Sequence, residues 1–176
     1  MVPALLECGE AETPQGRVIA GFDFSGAVVC MGYAIDAGTR RRALGARAAE
    51  RSAQADAWVA EAMARWLGGE DGLVGLRAHL EGTALQRRVW AALLEIPRGE
   101  TTTYGALCAR LGLSPGAAQA VGGAVGQNPI APLIPCHRVI GADGGLRGFA
   151  YGLPIKAALL QHEGAAVAPR QVGLFG

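Results

Sequence analysis

The sequence predicts an α+β fold: a small N-terminal domain with an antiparallel sheet and a helix, followed by a mainly helical domain containing a helix-turn-helix. Three observations carry this. Two apolar runs near the start are bounded by turn residues, helical apolar spacing takes over after residue 57, and a Gly-rich stretch separates the halves. The 176 residues suit two small domains, and 51% hydrophobic against 18% charged residues favours a packed core over disorder.

In chain order, Pro14-Gln15-Gly16 reads as a turn, and 17–24 follows as a strand carrying Val18, Ile19, Phe22 and Phe24. Ser25-Gly26 is a second turn, and 27–35, with Val28 and Val29, completes a β-hairpin that Ala37-Gly38 ends. Arg40, Arg41, Arg42, Arg47 and Arg51 form a basic run, read as a solvated face or loop because no aromatic or Gly-rich context accompanies it. Ala57, Trp58, Met63, Ala64, Trp66 and Leu67 recur at helical spacing, and Gly68-Gly69 stops that helix. Gly68, Gly69, Gly72, Gly75 and Gly82 mark an irregular stretch. The domain boundary falls there: residues 1–80, residues 81–168 and a tail at 169–176.

Thr83 with Gln86 has the spacing of a capping box, and Leu85, Val89, Leu93 and Leu94 form an apolar stripe running to Ile96 before Pro97. A short helix over 103–111 ends at Gly112. Ser114 is read as the cap of the next helix, with Pro115 at its first position, and that helix runs to about Val125. Two such helices joined by a tight turn have a DNA-binding geometry, although many helical bundles share the pattern. From Gln127 the chain reads as loop through Asn128-Pro129, Pro132 and Ile134-Pro135. A short element over 136–140, the turn Asp143-Gly144-Gly145 and a final helix over 154–163 follow, with Gly164 after its end.

The net charge of +1 excludes a globally basic nucleic-acid binder, so any such role needs a local patch. Cys8, Cys30, Cys108 and Cys136 form no CxxC pair, which suggests a reducing compartment. No secretory leader or membrane-length apolar run is read, so a soluble cytoplasmic protein is expected. Cys8, Cys30 and His79 match no standard zinc spacing, and no metal or cofactor is expected.

The residue that carries chemistry is Cys136. It follows Pro135 and precedes His137, and a thiol becomes a strong nucleophile when a neighbouring base takes its proton. Adjacent strand residues point to opposite faces, so the pair meets only through a bend or a bridging water. A base of this kind needs an orienting carboxylate, for which Glu163 is a candidate. Most cysteines are small buried hydrophobes, and the other three are read that way.

The hexapeptide Pro135-Cys136-His137-Arg138-Val139-Ile140 resembles the active-site motif of the O6-alkylguanine-DNA alkyltransferases. Further segments resemble that family in order: Gly82-Thr83 with Gln86, Val89-Trp90, 96–101, Tyr104-Gly105, 120–124, Asn128-Pro129, 141–148, Gly152-Leu153, Lys156, Leu159-Leu160 and 162–164. The resemblance is dense over 82–164 and loose before it. It implies a ribonuclease-H-like α/β domain over 1–80 and a DNA-binding, alkyl-accepting domain over 81–168. Cys136 is then the acceptor, in one irreversible turnover, for the alkyl group of O6-alkylguanine, with O4-alkylthymine as a further candidate substrate. His137 takes its proton through a water, Glu163 holds the histidine, Tyr104 protonates the leaving guanine and Asn128 braces the turn. Val139, Gly148, Phe149 and Ala150 wall a pocket for the flipped base. Thr103, Ala117, Gln119, Ala120, Gly122 and Arg138 contact DNA, with Arg87, Arg88, Arg98, Arg110 and Arg147 as further phosphate contacts. The partner implied is double-stranded DNA with an alkylated guanine, bound by a monomer.

Gln119 departs from the pattern, since the family usually places an arginine there to fill the gap left by the flipped base. Leu85 and Phe149 replace a usual Phe and a frequent Tyr. Two rivals follow: an alkyltransferase-like protein that binds the lesion without removing it, and a cysteine hydrolase unrelated to DNA. The first lacks the motif cysteine, and the second needs an oxyanion hole that no motif here announces.

Overall fold

A computed structural model describes residues 7–44 and 49–166; Arg47 and the tail at 169–176 lie outside the described residues. The chain divides into two compact units. The first is residues 1–81 with 129–133, and the second is 82–128 with 134–176. The first unit runs to Glu81 and the second is not continuous, because 129–133 returns to the first unit.

In the first unit, β1 (Glu7–Thr13), β2 (Gly16–Phe22) and β3 (Val28–Tyr33) pair antiparallel. The two-residue β4 (Glu50–Arg51) lies parallel to β1, giving the order β3-β2-β1-β4. The expected hairpin is β2–β3. Asp23 builds its turn by accepting from the Ser25 N–H (2.8 Å), the Ser25 hydroxyl (2.7 Å) and the Ala27 N–H (3.1 Å). Strand β1 went unread, because Glu10 and Glu12 interrupt its apolar pattern. The arginine run was expected to be a loop or a solvated face. Arg40, Arg41 and Arg42 lie exposed on a helix, α1 (Ala37–Leu44), which buries only Ala43 and Leu44, and Arg51 lies exposed in β4. Helix α2 (Ala53–Leu67) starts at Ser52, whose hydroxyl accepts from the Ala55 N–H. Its Val59, Met63 and Trp66 are buried, as are Ile19, Val28 and Met31 of the sheet strands. Gly9 brings β1 onto α2: a Cβ there would lie 2.1 Å from the Ala55 carbonyl carbon. The segment 129–133 joins β3 through the Met31 N–H to Pro129 O (2.8 Å) and the Ala131 N–H to Met31 O (3.0 Å), and Ile130, Ala131 and Leu133 are buried.

The second unit holds α3 (Ala84–Leu94), α4 (Tyr104–Arg110), α5 (Ala118–Gly126) and α6 (Leu153–His162). The capping box of Thr83 and Gln86 is present. Val89, Trp90 and Leu93 are buried, and the Trp90 indole N–H donates to Ala124 O at 2.9 Å, tying α3 to α5. Ser114 makes no side-chain cap. Pro115–Ala117 forms a separate 3-10 turn before α5, consistent with the poor helix propensity of a Pro-Gly start. β5 (Thr102–Thr103) pairs parallel with β6 (Val139–Ile140). Among the described residues, no helix is long and apolar enough to cross a membrane.

Candidate active site

The groups of interest all belong to the second unit. Residues Cys136–Arg138 form a 3-10 turn rather than a strand, which supplies the bend that brings adjacent side chains into one neighbourhood. The turn is pinned from behind. The Asn128 side-chain amide donates to Ile134 O at 2.7 Å and to Cys136 Sγ at 3.0 Å. Cys136 exposes only 7% of its surface. Burial pushes its thiol up, while the Asn128 N–H and the charge of Lys156 pull it down; the net direction is upward, so the resting sulfur is a neutral thiol. Ionisation therefore requires a base.

His137 is fully buried, and its Nε2–H donates to Glu163 Oε1 at 2.9 Å. Burial lowers its basicity more than Glu163 restores it, so the ring is neutral and able to accept a proton. Glu163, just past the end of α6, is raised by burial, but its bonds from His137 and Arg138 and their charges outweigh that and bring it to about 2. Tyr104, at the first position of α4, is half-buried, and burial and charge on Cys136 raise its hydroxyl, which stays protonated as a donor. The structure thus gathers Cys136, His137, Glu163 and Asn128, with Tyr104 within electrostatic reach of the sulfur.

Arg138 corrects the sequence reading. It was expected on DNA, yet it is 1% exposed. Its Nε and Nη2 hold Glu163 Oε2 (2.9 Å) and Oε1 (2.8 Å), and Nη1 donates to Ile96 O (2.5 Å). A guanidinium so enclosed cannot reach a phosphate. Arg87, Arg88, Arg110 and Arg147 are exposed but bonded to Gly82 O, Leu111 O, Glu95 and Asp143 in turn. Of the other expected DNA contacts, Gln119 and Ala120 are exposed on α5, and Ala117 is half-buried in the preceding turn. Gly122 backs onto the Tyr104 ring, at 3.7 Å from a Cβ built on it. The Thr103 hydroxyl caps α4 through the Ala106 N–H. Val139 is buried in β6, Gly148 is exposed, and Phe149 and Ala150 are half-buried, with Phe149 edge-on to Tyr151 at 5.6 Å.

Lys156, to which the sequence assigns no role, is fully buried. Its ammonium donates to Val139 O and Arg147 O, each at 2.6 Å, joining β6 to the start of the Gly148–Ala150 segment. Burial lowers it, against the charge of Cys136, to about 8. The signal was its spacing: Lys156, Leu159 and Leu160 share one helical face, and both leucines are buried. Among the described residues, no group of three His, Cys, Asp or Glu side chains is placed to hold a metal ion.

A family profile described as the 6-O-methylguanine DNA methyltransferase DNA-binding domain matches residues 84–165. A methylated-DNA--protein-cysteine methyltransferase of Mycobacterium bovis is 54% identical over 96 residues, covering 54% of this chain and 57% of the relative. One of Methanosarcina acetivorans is 56% identical over 85 residues, covering 48% and 54%. The chain thus spans little more than half the length of these curated relatives. A solved structure of Mycobacterium tuberculosis OGT in complex with DNA aligns over 90% of this chain and 93% of that one, with 33% identity and a TM-score of 0.75. With 93% of a solved relative covered at 33% identity, the chain belongs to the O6-methylguanine-DNA methyltransferase family.

Proposed function

We propose that this protein repairs DNA by transferring the alkyl group of O6-alkylguanine to its own Cys136. The observation that carries the reading is the set of contacts from Asn128 to the sulfur and from His137 to Glu163, which gives a buried thiol a donor for its charged form and an oriented neutral base beside it. The lesion is extruded from the duplex at a cost of a few kcal/mol, least for a poorly paired base. Nε2 of His137 faces the carboxylate, so Nδ1 takes the thiol proton, through a water. The sulfur attacks the alkyl carbon and a C–S bond forms as the C–O bond breaks. The departing guanine receives a proton from the Tyr104 hydroxyl, which is restored from the imidazolium, so the thiol proton ends on guanine. The thioether is stable, and the protein acts once.

Val139, Gly148, Phe149 and Ala150 wall the base pocket, Lys156 holding its two sides through Val139 O and Arg147 O. Helix α5 meets the DNA with Gln119 and Ala120, supported by their exposure, with Ala117, Gly122 and Thr103 in the surrounding turns. The partner is double-stranded DNA carrying the alkylated guanine. Action as a cytoplasmic monomer belongs to the same proposal. The rival that binds lesions without dealkylation is disfavoured by the cysteine and its assembled partners.

Mixing the protein with a duplex containing O6-methylguanine should add one methyl to its intact mass, mapped to Cys136 and absent in Cys136→Ala. Tight binding with no mass change would favour the lesion-binding rival, and repeated turnover of an ester would favour a hydrolase.

A further inference from the structure

Arg138 is the only arginine in the buried set among the described residues, and the reaction above gives it no part. Its guanidinium spans both oxygens of Glu163, and its third nitrogen is anchored on Ile96 O. We propose that Arg138 is a positioning residue for alkyl transfer: it clamps the Glu163 carboxylate so that Oε1 stays on His137 Nε2, which fixes the imidazole as the Nε2–H tautomer and leaves Nδ1 to receive the proton of Cys136. This rests on the proposed reaction.

A carboxylate alone rotates freely about its last torsion and offers the ring either oxygen. A two-pronged Arg contact removes that rotation. The guanidinium also keeps its charge at every working pH, so Glu163 remains an anion and the proton stays on the ring rather than passing to the carboxylate. The charged groups facing His137 are Glu163, Arg138 and Lys156, with the Cys136 thiol beside it. Burial first, with the charges of Arg138 and Lys156 adding to it against Glu163, makes the imidazolium a poor resting state, so the ring is neutral and can accept a proton.

The test is single-turnover methyl transfer from O6-methylguanine duplex across the acidic-to-neutral range. Arg138→Met, which keeps the stem and loses the fork, should be slower by about tenfold to a hundredfold, with the acid limb of its rate profile displaced to higher pH. Arg138→Lys should recover only part of the rate, because one ammonium cannot bridge both oxygens. Lesion binding, read in a Cys136→Ala background, should stay within about twofold. An unchanged rate with an unmoved limb overturns the assignment, as does an equal loss at every pH, which is the mark of packing alone. Should the Met variant fail to fold, the Lys variant decides by the same two readouts. Nitrogen-15 NMR of His137 gives an independent reading: the Nε2–H tautomer in the parent protein should mix with the Nδ1–H form in the variant. A parent protein that shows that tautomer but transfers no methyl defeats the proposed reaction and leaves the clamp standing; a parent with the opposite tautomer defeats the clamp.

Discussion

The sulfur of Cys136 is under opposed influences, and Asn128 is the one most directly testable. An N–H donated to a thiolate is a charge-assisted bond, worth about 1.5–3 kcal/mol. Asn128→Leu keeps the bulk and removes the donor, so the thiol should titrate higher and alkyl transfer should fall by roughly tenfold to a hundredfold. The pH dependence of iodoacetamide labelling, read on the Cys136 peptide, checks this: a midpoint equal to that of the parent would show that the 3.0 Å contact does not stabilise the charged sulfur. In the sequence, Cys136 and His137 stand out by their chemistry and Glu163 as a candidate orienter, whereas Tyr104 and Asn128 enter only through the family resemblance. Arg138 was misread. An arginine announces a surface cation, and nothing in the spacing of a six-residue motif says that a carboxylate 25 positions later will enclose it.

Elements were legible where one face is apolar and dark where it is not. Helix α3 shows its capping box and stripe in the sequence, whereas α1 buries only its last two residues and offers no periodicity to read. Strand β1 buries Cys8 and Gly9 and then turns to Glu10, which faces Arg51 at 2.5 Å, so its identity as a strand rests on pairing with β2 and not on its own pattern. Helix α5 is small-sided, and its long exposed side chain is Gln119. Gln119→Arg supplies a cation and a longer reach at this exposed position near the start of α5. Affinity for methylated duplex, or the transfer rate on it, should rise by roughly severalfold, with a steeper dependence on salt. Gel-shift and single-turnover measurements at two salt concentrations decide it: no change in either removes the finger role from this position.

At the scale of the whole molecule, each unit buries a carboxylate that works as an anion. Bonds from Ser25 lead the lowering of Asp23 to about 2, with His79 and the Ala27 N–H adding to it against burial, and Glu163 stands at about 2 in the other unit. A depressed carboxyl contributes stability above its ordinary value and loses it as pH falls toward the folded value, so both contributions vanish between about pH 4.5 and 2. Buried neutral His137 acts in the same direction below its ordinary 6.5, since unfolding releases it to take a proton. Thermal unfolding should therefore show a melting temperature that drops steeply in that window, with a shallower drop in Asp23→Asn; parallel curves for the two proteins would remove Asp23 from the account. The division of the chain was legible only in part: the glycines after residue 68 mark the boundary, but long-range pairing of 129–133 with β3 leaves no local trace. That return has a consequence for dissection. A fragment cut at Gly82 would strip Ile130, Ala131 and Leu133 of the strand that shelters them, a few residues upstream of the nucleophile. The second unit is thus not a detachable cassette, and grafting it elsewhere means carrying a surrogate for Met31 along.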